Sequence, residues 1–168
     1  MKEDKKFKCL FNTVDIVDVN SESISNWKKF GSSLSPIEKL RSLKLEKLCN
    51  FKCDDSINFI KSSKINYDFI FLDGDHSADV AYQEVMNSFQ ILNKKSLILL
   101  HDFYPYYKII FNNRIVVPGP YAAFEKIKKN LKNLNFIPFD NLPWNTKNNN
   151  NVSSLALITI EDIDVSKG

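Results

Sequence analysis

Glycine is scarce in this chain of 168 residues, occurring only at Gly31, Gly74, Gly119 and Gly168. That excludes a glycine-rich phosphate cradle early in the chain, because such a loop needs clustered glycines for close backbone approach. Arginine is equally rare: Arg41 and Arg114 stand alone, and nearly all the other basic residues are lysines. The 23 basic and 20 acidic residues leave a net charge of only +3. Such an even balance argues against nucleic acid as partner, which needs a concentrated basic patch. The three cysteines, Cys9, Cys49 and Cys53, are odd in number. Cys49 and Cys53 could be half of a zinc site, but no second Cys/His pair follows at zinc spacing, so they read as reduced thiols. No apolar run reaches the roughly 18 residues of a membrane helix. The start, MKEDKKFKCLF, is too charged for a secretory signal. The expectation is a cytoplasmic protein without a membrane partner.

What remains is a globular composition, 43% hydrophobic and 12% aromatic. One domain of this size hides about 70% of its unfolded surface. Residues 13–19 predict a strand with an acidic end. Ser35-Pro36-Ile37-Glu38 is a helix start, with a serine cap, proline at the first position and glutamate three residues on. A short strand over 50–53 runs into Asp54, Asp55 and Ser56, and a brief helix follows over 57–61. Residues 67–72 are apolar on both faces, as a buried parallel strand must be. A helix over 77–92 places Ala81, Val85, Phe89 and Leu92 on one side. Another apolar strand over 97–100 precedes a helix beginning at Pro120. Two last strands, near 136–139 and 152–160, have no helix between them and should pair antiparallel. The asparagines around 148–151 read as a polar loop. This order predicts an α/β fold over 14–162, a Rossmann-like, mostly parallel sheet with a C-terminal antiparallel strand. A charged segment over 1–13 precedes it and a tail over 163–168 follows.

Polar side chains recur where the predicted parallel strands end. Asp18 closes the first, Asp54 and Asp55 the second, Asp73 and Asp75 the third, His101 and Asp102 the fourth. Open parallel sheets bind ligands outside those carboxyl ends. Aspartate also caps helices there, so each acid alone is ambiguous. The set is less so, because His76 and His101, the only two histidines of the chain, fall in the same places.

The segment Tyr67-Asp68-Phe69-Ile70-Phe71-Leu72-Asp73-Gly74-Asp75-His76-Ser77, followed by Leu97-Ile98-Leu99-Leu100-His101-Asp102, resembles the class I S-adenosylmethionine-dependent methyltransferases. The nearest branch is the one whose strands end in DGDHS and HD. The similarity extends through Val117-Pro118-Gly119-Pro120-Tyr121, residues 142–147 and residues 153–157. It implies S-adenosylmethionine as cofactor, with Asp18 on the ribose hydroxyls, where one carboxylate can accept both protons. Asp55 would lie beside the adenine, with Asp54, Ser56 and Asp73 also at the cofactor. Metal-dependent O-methyltransferases of similar fold imply Mg or Mn on Asp73, His101 and Asp102. His76, three positions after the first metal acid, would be the base that deprotonates a hydroxyl of a small-molecule methyl acceptor. The resemblance also implies a first strand and glycine-rich turn ahead of the Asp18 strand, and this strand-helix unit is missing: the segment before Val14 is half the length needed and holds no glycine.

Two other readings stand beside this one. Asp73-Gly74-Asp75 also resembles the nucleophile motif of haloacid dehalogenase-like phosphohydrolases, with Asp73 as nucleophile and Asp75 as general acid. Alternatively the chain is a non-catalytic or partner-dependent fragment of a methyltransferase. A homo-oligomer is compatible with any of the three. Tyr104, Tyr106 and Tyr107, just after His101-Asp102, could line a substrate mouth or pack as a plain loop.

Overall fold

The structure, a computed structural model, describes residues 10–139, 141–145 and 151–160. The first nine residues with Cys9, most of the asparagine stretch and the tail from 163 lie outside the described residues. The chain divides into two compact units, up to Phe59 and from Ile60 on.

In the first unit, β1 (Phe11–Asp15) pairs in parallel with β2 (Cys49–Cys53), Thr13 opposite Phe51. Between them come a single-turn helix α1 (Asn26–Lys29) and α2 (Pro36–Ser42). The expected capping box is present: the Ser35 hydroxyl accepts from Glu38 N, and the Glu38 carboxylate accepts from Ser35 N at 2.9 Å. Strand β1 departs from the expectation, starting earlier and stopping at Asp15 instead of running to Val19. The physical reason is two successive aspartate turns. Asp15 Oδ1 accepts from Val17 N at 3.0 Å and Asp18 Oδ1 from Asn20 N at 2.9 Å. Each side chain competes with the sheet for nearby backbone donors and bends the chain away.

The second unit begins within α3 (Ser56–Ser62) and carries a four-stranded sheet of order β3-β4-β6-β5. Strand β3 (Tyr67–Leu72) lies parallel to β4 (Leu92–Leu100), whereas β6 (Ala156–Ile160) runs antiparallel to both β4 and β5 (Leu134–Pro138). The α/β class and the antiparallel pairing at the end of the chain are as the sequence predicts. Strand β4 begins at Leu92, five residues ahead of the apolar run, and its pairing with β3 is interrupted between Tyr67 and Phe69. Polar side chains fill that irregularity: Asn93 Nδ2 donates to Asp68 Oδ1 at 2.7 Å and the Ser96 hydroxyl to Tyr67 O at 2.8 Å. The helix expected to reach Leu92 is α4 (Ala78–Ser88), which tightens into a 3₁₀ turn over Phe89–Ile91. Strand β6 starts at Ala156, while Val152 makes only an isolated bridge to Asn141.

One face of this sheet is the core. Leu72, Ile98, Leu100, Ala156, Ile158 and Leu134 pack with Val85 of α4 and with Tyr121 and Ile127 of α5 (Gly119–Asn130). On the opposite face, Phe71, Leu99, Leu157 and Ile137 stand in one row across all four strands by register. The row stays open at its ends: Phe71 is 49% and Ile137 47% exposed. Burial and truncation cost should therefore divide by face. Ile127→Ala, at a fully buried position, should lose about 2–5 kcal/mol in denaturant unfolding. Phe69→Ser, on the open face, should change it by only about 0.5 kcal/mol.

Candidate active site

The second unit concentrates its chemistry where β3 and β4 end. Their register pairs Leu72 with Leu100, so the next residues, Asp73 and His101, must emerge side by side. The ladder continues one bond further, with His101 N donating to Leu72 O at 2.9 Å. His101 Nδ1 consequently lies 2.7 Å from Asp73 Oδ1 and 3.4 Å from Asp102 Oδ1. The contact is close but misaligned for an N–H bond: Nδ1 is buried without a hydrogen-bond partner. His76 joins the group from the following loop, its Nε2 3.5 Å from Asp102 Oδ2. Four of the predicted site residues thus converge on one spot, with Asp102 touching both histidines.

Asp102 reaches this position through unusual backbone. Its φ is +51°, a left-handed conformation that aspartate tolerates better than most residues. Its carboxylate is largely shielded and also accepts a hydrogen bond from the Ser154 hydroxyl at 3.2 Å. Ser154 is buried, as is Tyr104, whose hydroxyl pKa is raised by burial and by the charge of Asp102, with a hydrogen bond to Ser154 acting the other way.

The loop that carries His76 is packed from two directions. A Cβ on Gly74 would fall 2.7 Å from Oε1 of Glu84, a buried carboxylate on α4. A Cβ on Gly119, the first residue of α5, would sit only 1.8 Å from the His76 carbonyl oxygen. Gly119 is therefore required by close approach to backbone, whereas at Gly74 the neighbour is the end of a side chain. Ser154, Glu84 and Gly119 were not signalled as site residues by the sequence. The one available hint was Glu84, an acid on the same helical face as Ala81, Val85 and Ser88.

The acids of the first unit have more local tasks. Asp18 does not close β1 but lies in the turn beyond it, exposed, lining a cleft of about 310 Å³ with Val17, Val19, Asn20, Phe51, Lys52 and Cys53. That volume is at the lower end of small-molecule sites. Asp54 Oδ1 accepts from Asp55 N at 2.8 Å, and Asp55 caps α3 by accepting from Asn58 N at 2.9 Å. Ser56 is the first residue of α3. Capping thus accounts for one oxygen of Asp55.

Asp75 is turned back on its own chain, accepting from Ser77 N at 2.7 Å. That bond holds its carboxyl below the usual aspartate range. A general acid needs the opposite shift, so Asp75 is unsuited to the role the phosphohydrolase reading gives it. Among the described residues, no three His, Cys, Asp or Glu side chains form a ready metal cage, and Cys49 and Cys53 are free thiols. Nor is any helix among them long and apolar enough to cross a membrane.

Comparison with known proteins bears on the fold and the family. Among curated proteins none matches the chain. A crystal structure from Staphylococcus aureus, named as a candidate caffeoyl-CoA O-methyltransferase, is similar with 15% identity and a TM-score of 0.50. The match covers 89% of this chain and 63% of that one, so the chain spans less than two thirds of that protein. The O-methyltransferase TomG from Streptomyces achromogenes, solved with S-adenosylmethionine, is similar with 8% identity and a TM-score of 0.55, over 92% of this chain and 73% of that one. At these identities the likeness is one of fold. The family described as a methyltransferase domain matches residues 8–103, a span that contains Asp18, Asp55, Asp73, His76, His101 and Asp102. The chain belongs to the methyltransferase-domain family.

Proposed function

We propose that this domain serves S-adenosylmethionine-dependent methyl transfer to a hydroxyl of a small molecule, assisted by a divalent ion. The observation that carries the reading is the convergence of Asp73, His76, His101 and Asp102 at the ends of β3 and β4. Family membership and the fold shared with an O-methyltransferase solved with S-adenosylmethionine support the cofactor.

The residues fit an ion in one telling respect. Asp73 Oδ1 and Asp102 Oδ1 lie 2.7 and 3.4 Å from a buried, unsatisfied imidazole nitrogen. Such separations are those of adjacent ligands around an ion with bonds of about 2.1 Å. Mixed imidazole and carboxylate donors suit Mg or Mn, which when bound would lower the pKa of an acceptor hydroxyl. Asp18 has one carboxylate oxygen committed to Asn20 N, leaving the other for a ribose hydroxyl. Asp54 and Ser56 flank the Asp55 cap at the start of α3, where an adenine would rest.

His76 is the base in this scheme. Its Nε2 faces Asp102, which orients the ring and leaves Nδ1 to take the hydroxyl proton. The acceptor oxygen then forms a bond to the methyl carbon as the carbon–sulfur bond breaks, the electron pair leaving with sulfur. The acceptor loses a proton to His76 and gains a methyl group.

Two measurements test this reading. Mn or Mg should raise the melting temperature of the wild type, since a ligand of the native state stabilises it. Asp73→Asn and His101→Ala should lose the shift, and His76→Ala should keep it. Full retention in His101→Ala would return His101 to a structural role. The second measurement is transfer of labelled methyl from S-adenosylmethionine to small hydroxyl compounds. Gly119→Ala, which must push α5 away from the His76 carbonyl, should lower that rate by about 100-fold, the usual cost of a misplacement near 1 Å. The metal-dependent melting shift should survive in that variant, because Asp73 and His101 follow directly on the paired ends of β3 and β4 and Asp102 is the next residue.

A further inference from the structure

Strand β6 contributes to the site through the residues that precede it. It runs antiparallel to β4, with Ala156 paired to Leu100. Its amino end therefore lies beside the carboxyl end of β4, and the residues just before Ala156 must pass next to His101 and Asp102. Ser154 is the polar residue delivered there, buried to 4% exposure and outside the 8–103 span matched by the family. It holds Asp102 and the next residue at one point each. Its carbonyl accepts from Phe103 N at 2.8 Å, and its hydroxyl donates to Asp102 Oδ1 at 3.2 Å.

Donor arithmetic sets the direction of this network. A serine has one hydroxyl proton, and an ionised carboxylate can only accept. The Ser154 proton therefore goes to Asp102, across the 3.2 Å contact. It ends on the oxygen that lies 3.4 Å from His101 Nδ1. Asp102 itself stands in left-handed backbone, φ +51°.

We propose that Ser154 is a positioning residue, which aims Asp102 Oδ1 at the metal position and so sets metal affinity. The proposal rests on the metal reading above. It assigns no proton transfer to Ser154.

The test is Mn binding to the full chain, measured by calorimetry, with far-UV circular dichroism to verify folding. Ser154→Ala should weaken Mn by 10- to 100-fold, roughly the cost of removing a hydrogen-bond partner from a metal ligand. Ser154→Cys, nearly isosteric but a weak donor, should match Ser154→Ala, and it decides the matter if the alanine protein does not fold. A folded Ser154→Ala protein whose affinity stays within about three-fold of wild type overturns the proposal. Failure of both serine variants to fold also overturns it, assigning Ser154 to stability. Wild type that takes up no Mn sinks the metal reading itself, an outcome distinct from the others because it appears before any substitution.

Discussion

The parallel register of β3 and β4 is the constraint on which the site depends. With Leu72 beside Leu100, the two strands end level, and Asp73 and His101 emerge as neighbours. A slip of one residue would turn Leu72 and Leu100 out of the core and carry Asp73 to the wrong face, since side chains alternate along a strand. Burial of those leucines beneath α4 and α5 is therefore what holds a carboxylate against an imidazole at 2.7 Å. The site inherits its precision from the apolar layer below it.

That precision has a local cost. Asp102 occupies a left-handed backbone conformation, and His101 keeps a buried nitrogen without a hydrogen bond. An unsatisfied buried donor or acceptor costs about 1–3 kcal/mol, and unusual backbone adds to it. Such features persist only where the surroundings over-determine them. Here the surroundings are Ser154 on Asp102, Gly119 against the His76 carbonyl and Glu84 behind Gly74. Each comes from a different element, so the loop ends are held by packing between segments distant in sequence.

The first unit is built differently. Neither of its two strands carries a fully buried side chain, its buried apolar residue being Trp27 of α1, while Ile16 and Phe30 are 75% and 88% exposed. Its aspartates spend much of their hydrogen bonding on the chain itself. Asp15 and Asp18 make turns, and Asp55 caps a helix. These local bonds order the cleft around Asp18 without a large core, which two paired strands do not provide.

Pattern alone carried a good part of this. The double-sided apolar runs at 67–72 and 97–100, the capping box at Ser35 and the placement of both histidines after strands determined the α/β order and pointed to Asp73, His76, His101 and Asp102. These are local signals, and each is legible because burial and capping act within a few residues. The end of β1 was not, because whether Asp15 continues a strand or turns it depends on competition between side-chain and ladder hydrogen bonds. Glu84, Gly119 and Ser154 were hidden for a further reason. Nothing near them in sequence shows that α4 and α5 pack on the His76 loop, or that an antiparallel last strand brings a serine to the end of β4. The residue types came from the sequence, but only the tertiary structure decided which of them touch, because contact across 50 residues follows from register and packing.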